Sequence, residues 1–392
     1  MKKIQKSKLK TKNRKPKVKT FEFLLVVLTF TFCLFTFDCY AERNVRVAII
    51  QDTSALNLRI KGFFQIKDLK KGRIIHRARN INTTVIVSKD GIDLAGIKPD
   101  SNSLLIESDD PQAFTINSKP FRGNIQLIRK SNNKLLVVNH IDLEDYIKGI
   151  LYHEASHYWP MEALKAQAIV SRTYAVYQMQ ENTSKDFDVT NDIYSQVYGG
   201  QVSERYRTSI AVDETAGMVI FYKGKIIPAY FHATCGGHTE NAAILWGIDL
   251  VPLRGVVCPF CKESPHYSWH YDLSLKEIAE KLSAAGFKVK NIKSIAIENK
   301  DSSGRITNLI IKSEKQELKI SAKDFREIIG PNSIRSANFS VRIEGCDAVF
   351  EGIGWGHGVG LCQWGAYFMA KDGRNVEQIL KYYYPGIDVK TF

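Results

Sequence analysis

Residues 142–180 read DLEDYIKGILYHEASHYWPMEALKAQAIVSRTYAVYQMQ, and the change of texture they mark decides the fold. Asp142 precedes Leu143-Glu144-Asp145-Tyr146-Ile147-Lys148-Gly149-Ile150-Leu151, a short helix with an aspartate at its cap. A loop from His153 to Trp159 is predicted next. Pro160, whose missing N–H costs nothing at a helix start, opens a second helix that runs to about Gln180. Within it Ala163, Ala166, Val170, Tyr174 and Tyr177 recur at helical spacing, which predicts one core-facing side.

Upstream, from Arg46 to about His140, the pattern has the period of two expected of strands. Val45–Ile50, Thr84–Val87, Asn124–Ile128 and Lys134–Val138 are β-type runs, separated by turn chemistry such as Lys89-Asp90-Gly91 and Ser131-Asn132-Asn133. Downstream, Gly217–Phe231 reads as a hairpin around Lys223-Gly224-Lys225. Residues 274–343 read as helix (Leu275–Ala285), three strands, helix (Ala322–Ile329) and strand. A Gly-rich loop, Gly352–Gly360, and a helix through Ala370 close the chain. The expected fold class is α/β in the α+β sense. A β-rich N-terminal module at 42–140 precedes a mixed α/β domain at 141–392, with 274–343 as an inserted αβββαβ subdomain.

The net charge of +14 is concentrated at one end. Residues 1–19 hold ten Lys and Arg, and with Glu22 and Asp38 segment 1–41 carries +8, leaving +6 on the rest. No RNA-binding or helix-turn-helix signature accompanies that mild remainder, so nucleic acid is not an expected partner. An anionic cell-wall matrix suits the charge at least as well. After the basic run come the apolar residues Phe23–Phe37 and then Asp38-Cys39-Tyr40-Ala41. This is the order of a secretory signal, with cleavage after Ala41 favoured and a retained inner-membrane anchor as the alternative. A stretch of 15 residues, broken only by Thr and Cys, is short for a span of about 20. Export to the periplasm or cell envelope follows from either.

Three segments in series resemble the SpoIID/LytB family of cell-wall proteins. They are Glu154-Ala155-Ser156 with Trp159–Ala168 and Ser171–Ala175; Phe231-His232-Ala233-Thr234-Cys235-Gly236-Gly237; and Gly354–Gly360 with Gln363-Trp364-Gly365-Ala366. The resemblance covers most of residues 138–392. It implies a lytic transglycosylase acting on peptidoglycan glycan strands stripped of stem peptides, with Glu154 as the catalytic acid. Where the family often has Pro before that Glu, this chain has His153, which leaves the local backbone open.

Glycoside cleavage ordinarily uses two carboxyl groups. Lytic cleavage of muramic acid needs one, because the sugar's own 6-hydroxyl attacks its anomeric carbon while a single carboxyl gives and then takes back a proton. Such a carboxyl works near neutral pH when an apolar pocket raises its pKa, and Tyr152, Tyr158 and Trp159 are the expected pocket. By position alone Glu154 would be an ordinary surface residue of a loop. Glu162 sits in a first helical turn, where an acid complements the helix dipole. Arg172 is expected to bind a sugar carboxylate or to pair with an acid. Asp192, Gln196 and Tyr198 fall in a polar-aromatic loop of the kind that lines sugar grooves, or merely shape a turn. His357, amid glycines that let backbone approach a ligand, is expected to bind substrate or orient Glu154. Gln363 and His232 complete the expected groove. No Lys-Ser/Thr follows the glycines, so the loop is not a phosphate cradle.

Seven cysteines occur, and Cys33 and Cys39 belong to the N-terminal segment. Cys258-Pro259-Phe260-Cys261 has the two-residue spacing that places both sulfurs on one metal. With Cys235, and with Cys362 standing where relatives more often have Ser, a structural four-coordinate zinc site is expected, His238 or His232 being the substitute ligand. Disulfides, which an oxidising compartment favours, are the competing reading, although five cysteines leave one over. A non-enzymatic glycan-binding activator of a cell-wall amidase rivals the enzyme. A zinc hydrolase is disfavoured, since no His-Glu-x-x-His stretch is present.

Overall fold

The computed structural model describes residues 44–314 and 316–392. The expected signal or anchor at 1–41 lies outside the described residues. Among those described, no helix is long and apolar enough to cross a membrane.

Both helices and mixed sheets are present, as an α+β chain requires. The first part of the chain supplies nine strands: β1 (Asn44–Thr53), β2 (Ala55–Asp68), β3 (Arg73–Ser88), β4 (Gly91–Leu94), β5 (Ser103–Ser108), β6 (Phe114–Ile116), β7 (Lys119–Phe121), β8 (Asn124–Arg129) and β9 (Leu135–Asp142). They share a ten-stranded sheet whose main path is β10-β1-β9-β8-β5-β2-β3-β4. The tenth strand, β10 (Val189–Thr190), comes from the far side of the two helices and pairs parallel with β1, Val47 opposite Val189. Arg46 reinforces that junction with two guanidinium bonds to one Asp188 oxygen, its backbone N–H on the other, and bonds to the carbonyls of Asn182 and Lys185. One hydrophobic core runs from the sheet (Val45, Leu58, Phe64, Leu127) into the helices (Tyr146, Ile150, Leu164, Ala175).

Helix α1 (Leu143–Glu154) starts as expected, with the Asp142 carboxylate accepting from the N–H groups of Glu144 and Asp145. It ends later than expected. The predicted loop from His153 is helical through Glu154, and Ala155 caps it with an N–H bonded to the carbonyl of Leu151. Having His153 in place of Pro is what permits this, since Pro disfavours a helical residue before it and offers no N–H.

Helix α2 (Met161–Glu181) follows Pro160 as predicted but is not amphipathic. Its buried residues run from Ala163 to Val176 around the whole circumference. Alanines at 163, 166, 168 and 175 let neighbouring elements close in on every side. Its buried polar groups are satisfied locally, Thr173 bonding the Ile169 carbonyl and accepting from the Ile220 N–H.

The hairpin at Lys223-Gly224 joins Met218–Tyr222 to Lys225–Ile226, with positive φ at both turn residues. The chain's last strand, Asp388–Thr391, pairs with its other edge. Residues 275–344 form the predicted order of helix, three strands, helix and strand. Their core, with Ile278, Leu309 and Phe325, also takes in Trp269, Leu273 and Phe350 from two flanking strands. Those strands, Ser268–Ser274 and Asp347–Ile353, pair with each other, and Asp347–Ile353 pairs on its other edge with Phe339–Glu344.

Candidate active site and cysteine cluster

Glu154 closes the last turn of α1, at the negative end of the helix dipole. Its side chain is half-buried. Two donors reach it, both long: the Val197 N–H at 3.4 Å and the Gln363 amide at 3.5 Å. Both are neutral, and among the described residues no cation pairs with it. Behind Gln363 the network continues through neutral groups. Its amide lies 3.4 Å from the Gln167 oxygen, Gln167 bonds the Ser171 hydroxyl, Gln196 bonds the Ser171 carbonyl, and the Tyr146 hydroxyl bonds Gln196. Burial therefore dominates and pushes the Glu154 carboxyl up to about 7, while the Val197 and Gln363 bonds pull it back only in part. A carboxylic acid with that value is protonated in half the molecules at neutral pH.

The expected apolar pocket is only partly made as the sequence suggested. Tyr158 is 81% exposed, and Tyr152 lies beneath the Arg205 guanidinium, 4.3 Å from it, beside His153 and His157. Neither is among the groups that bond Glu154. Trp159 instead packs on Trp364 and Tyr367. From Trp364 the aromatic contacts pass to His266 and on to Trp355, which lies under Arg335. This partly exposed strip begins five residues after Glu154 and ends in the Gly-rich loop. His266, Tyr367 and the Val197 N–H were not legible as site features, since no spacing ties them to Glu154.

Other expected site residues lie elsewhere. Arg172 is wholly buried and holds Glu144 in a bidentate pair (2.8 and 2.6 Å), with further bonds to the carbonyls of Met218 and Val212. It is a strut of the core, and a sugar cannot reach it. Tyr198 is buried against Tyr146 and Phe121 with its hydroxyl on Asn139. Asp192 accepts from Thr190 and from the Tyr194 N–H, which makes it a turn-shaping residue. Gln196 is buried but belongs to the network behind Glu154. His232 is buried too, with Nδ1 3.1 Å from the Val359 carbonyl, and burial holds its ring well below the usual histidine range. His357 does not contact Glu154. Its Nδ1 accepts from the Val359 N–H, it packs on Trp246, and burial takes its pKa down to about 3, so it is neutral. It lines a separate cavity of about 300 Å³ with Trp246, Glu240, Arg305 and Arg326.

The cysteine expectation converges in space. The sulfurs of Cys235, Cys258, Cys261 and Cys362 all lie within 4.8 Å of one another, and all four are buried. Neither His238 nor His232 belongs to this group; the imidazole of His238 is bonded to the Thr239 carbonyl instead. Cys346 is exposed and apart. Zinc with sulfur ligands at about 2.3 Å sets tetrahedral sulfurs about 3.8 Å apart, so the four residues fit a metal. Their surroundings fit too. The N–H groups of Cys235 and Gly365 point at the Cys362 sulfur and that of Gly237 at the Cys235 sulfur, while Tyr383 lies 3.1 Å from the Cys258 sulfur. Such donors favour thiolates. Burial and the neighbouring sulfurs push the Cys362 thiol well above its ordinary value, whereas hydrogen bonds from the neighbouring cysteines pull Cys261 down, so a cation is what would let all four ionise together. Cys362 is also the N-cap of the Gln363–Lys371 helix, one residue before the amide that reaches Glu154.

Residues 131–222, which hold α1, α2 and Glu154, match the family described as Stage II sporulation protein. Stage II sporulation protein D of Bacillus subtilis is 31% identical over 71% of this chain and 81% of its own length. The chain belongs to the SpoIID family. An uncharacterised protein of Brachyspira hyodysenteriae is 36% identical to this SpoIID-family chain over 90% of the chain and 95% of the relative. The Amidase enhancer of Bacillus subtilis is 24% identical over 63% of the chain, which spans 40% of that longer protein. Residues 260–360 of the SpoIID-family chain, which contain the core around Ile278, Leu309 and Phe325, match a domain family of unknown function.

Proposed function

We propose that this protein is a lytic transglycosylase of peptidoglycan glycan strands, favouring strands stripped of stem peptides. The reading rests on the Glu154 carboxyl, part-buried among neutral donors and held near pH 7. In the reaction the bond between the muramic acid C1 and the bridging oxygen breaks, and Glu154 gives its proton to that oxygen. The 6-hydroxyl oxygen of the same muramic acid bonds to C1, its proton passes to Glu154, and an anhydro-muramyl end remains. Val197 and Gln363 hold the carboxyl in place without forcing it to ionise.

The four-cysteine cluster is assigned as a structural zinc site, closed by four protein ligands and taking no part in the chemistry. A zinc ion held there by Cys235, Cys258, Cys261 and Cys362 would supply cross-linking and steady the helix start that carries Gln363. The protein is assigned to the periplasm or cell envelope, its N-terminal segment removed after Ala41 or kept as an inner-membrane anchor.

The similarity to a protein named Amidase enhancer supports a second reading, a glycan-binding activator of a cell-wall amidase with no cleavage of its own. Digestion of peptide-stripped glycan by the purified protein alone separates the two. Anhydro-muramyl ends from wild type and none from Glu154→Gln is the expected result. Absence of such ends from wild type leaves the activator reading.

A further inference from the structure

The β2–β3 hairpin is the most cationic part of the described chain. Residues 55–88 contain eight Lys and Arg and a single acid, Asp68. That acid is spent internally: it is buried, and its carboxylate accepts the Lys71 N–H at 3.0 Å to shape the turn. Lys70, Lys71, Arg73, Arg77 and Arg79 are exposed. Among the described residues, one acid comes within ion-pair reach of these five, Asp100 at 3.6 Å from Lys71, and that pair is open to solvent. The body of β2 is covered by β5 up to Asp68, whereas β4 covers β3 only from Val85 to Ser88. Among the described residues, no strand pairs with the outer edge of β3 before Val85.

Cations along an open strand edge ordinarily guard against aggregation. That reading does not account for the apolar side chains at the tip. Leu69 and Ile74, flanking Lys70-Lys71-Gly72-Arg73, are 37% and 38% exposed, and Phe63 on the same hairpin is 41% exposed. Exposed aliphatic groups set between solvent-exposed cations at the end of a stiff hairpin match the interface of an anionic bilayer, whose phosphates meet the cations while its acyl boundary takes the aliphatic groups. A soluble polyanion would use the cations and leave Leu69 and Ile74 in water.

We propose that the 69–74 tip docks this protein on the surface of a bilayer rich in anionic phospholipid. The N-terminal segment could bind vesicles by itself, so the test reads the tip locally. Hydrogen exchange of the full chain is followed with vesicles of phosphatidylglycerol and phosphatidylcholine, and with phosphatidylcholine alone. Amides of residues 67–76 are expected to exchange at least about ten-fold more slowly with the anionic vesicles only, and less so as salt rises. The triple variant Lys70→Glu/Lys71→Glu/Arg73→Glu is expected to lose that protection, and Leu69→Ser/Ile74→Ser to weaken it several-fold. Both should keep the wild-type activity on soluble glycan, since none of these residues bonds to Glu154 or to the four cysteines. Vesicle-bound protein whose 67–76 amides exchange as in free protein overturns the proposal. So does protection that the triple variant retains, or that soluble polyglycerol phosphate gives and anionic vesicles do not.

Discussion

The amide of Gln363 lies 3.5 Å from the carboxyl of Glu154 across 209 residues of sequence. One residue earlier, Cys362 caps the same helix with its sulfur and joins the four-cysteine cluster. The helix that touches the acid is thus held at its first turn by the cysteines. Site geometry and cluster integrity are mechanically one problem.

Activity should fall as pH rises through about 7. Only protonated Glu154 can donate, so the rate is expected to drop about ten-fold per pH unit above that point. The Gln363 bond pulls the pKa down. Gln363→Leu should therefore move this limb to higher pH, with any loss of rate at pH 6 reported separately. A pH profile of kcat with midpoint near 4.5 in wild type would remove the role assigned to burial.

The same shift makes a stability prediction that does not depend on activity. Between pH 4.5 and 7 the folded protein keeps the Glu154 proton more tightly than the unfolded chain does. Stability is lost as pH rises through that window. Glu154→Gln should abolish cleavage yet stabilise the protein at pH 8 by roughly 2–3 kcal/mol, from about 1.4 kcal/mol per pKa unit discounted for partial exposure. Urea unfolding at pH 5 and pH 8 checks it, the difference between variant and wild type being small at pH 5.

Arg172 should matter for folding rather than for substrate. Arg172→Met takes the guanidinium from Glu144, which keeps the Gly217 N–H, and from the carbonyls of Met218 and Val212, and is expected to cost about 3 kcal/mol. KM of whatever folded protein remains should be unchanged. A large KM effect with normal stability would return Arg172 to the substrate.

One zinc per chain is expected, lost in Cys258→Ser and retained in Cys346→Ser. Elemental analysis with thiol titration reads both. Gly365→Ala should lower zinc retention as well, because a methyl group there meets the Tyr383 hydroxyl that lies against Cys258. Two disulfides and no metal in the native protein is the result that would sink this assignment.

Much of the architecture was legible from patterns internal to short segments. Alternation marked β1, β3, β8 and β9, Asp142 announced α1, Pro160 announced α2, and the order of elements in 275–344 followed from periodicity and turns. Periodicity misled where burial is all-round: nothing in α2 distinguishes one covered face from four. It also set the end of α1 too early, because His153 and Glu154 are helical for want of a breaker and not by propensity.

The sequence by itself determined which side chains were available: one Glu beside an aromatic-rich turn, a glycine loop, a paired Cys motif and two further cysteines. Those are local facts of chain chemistry. Tertiary structure alone decided that Arg172 faces Glu144 and not a sugar, that His232 and His357 are neutral and turned to backbone, and that the four sulfurs meet. It alone surrounded Glu154 with neutral amides. A pKa near 7 comes from burial with no cation beside the carboxyl among the described residues, and that burial is made by segments distant in the chain.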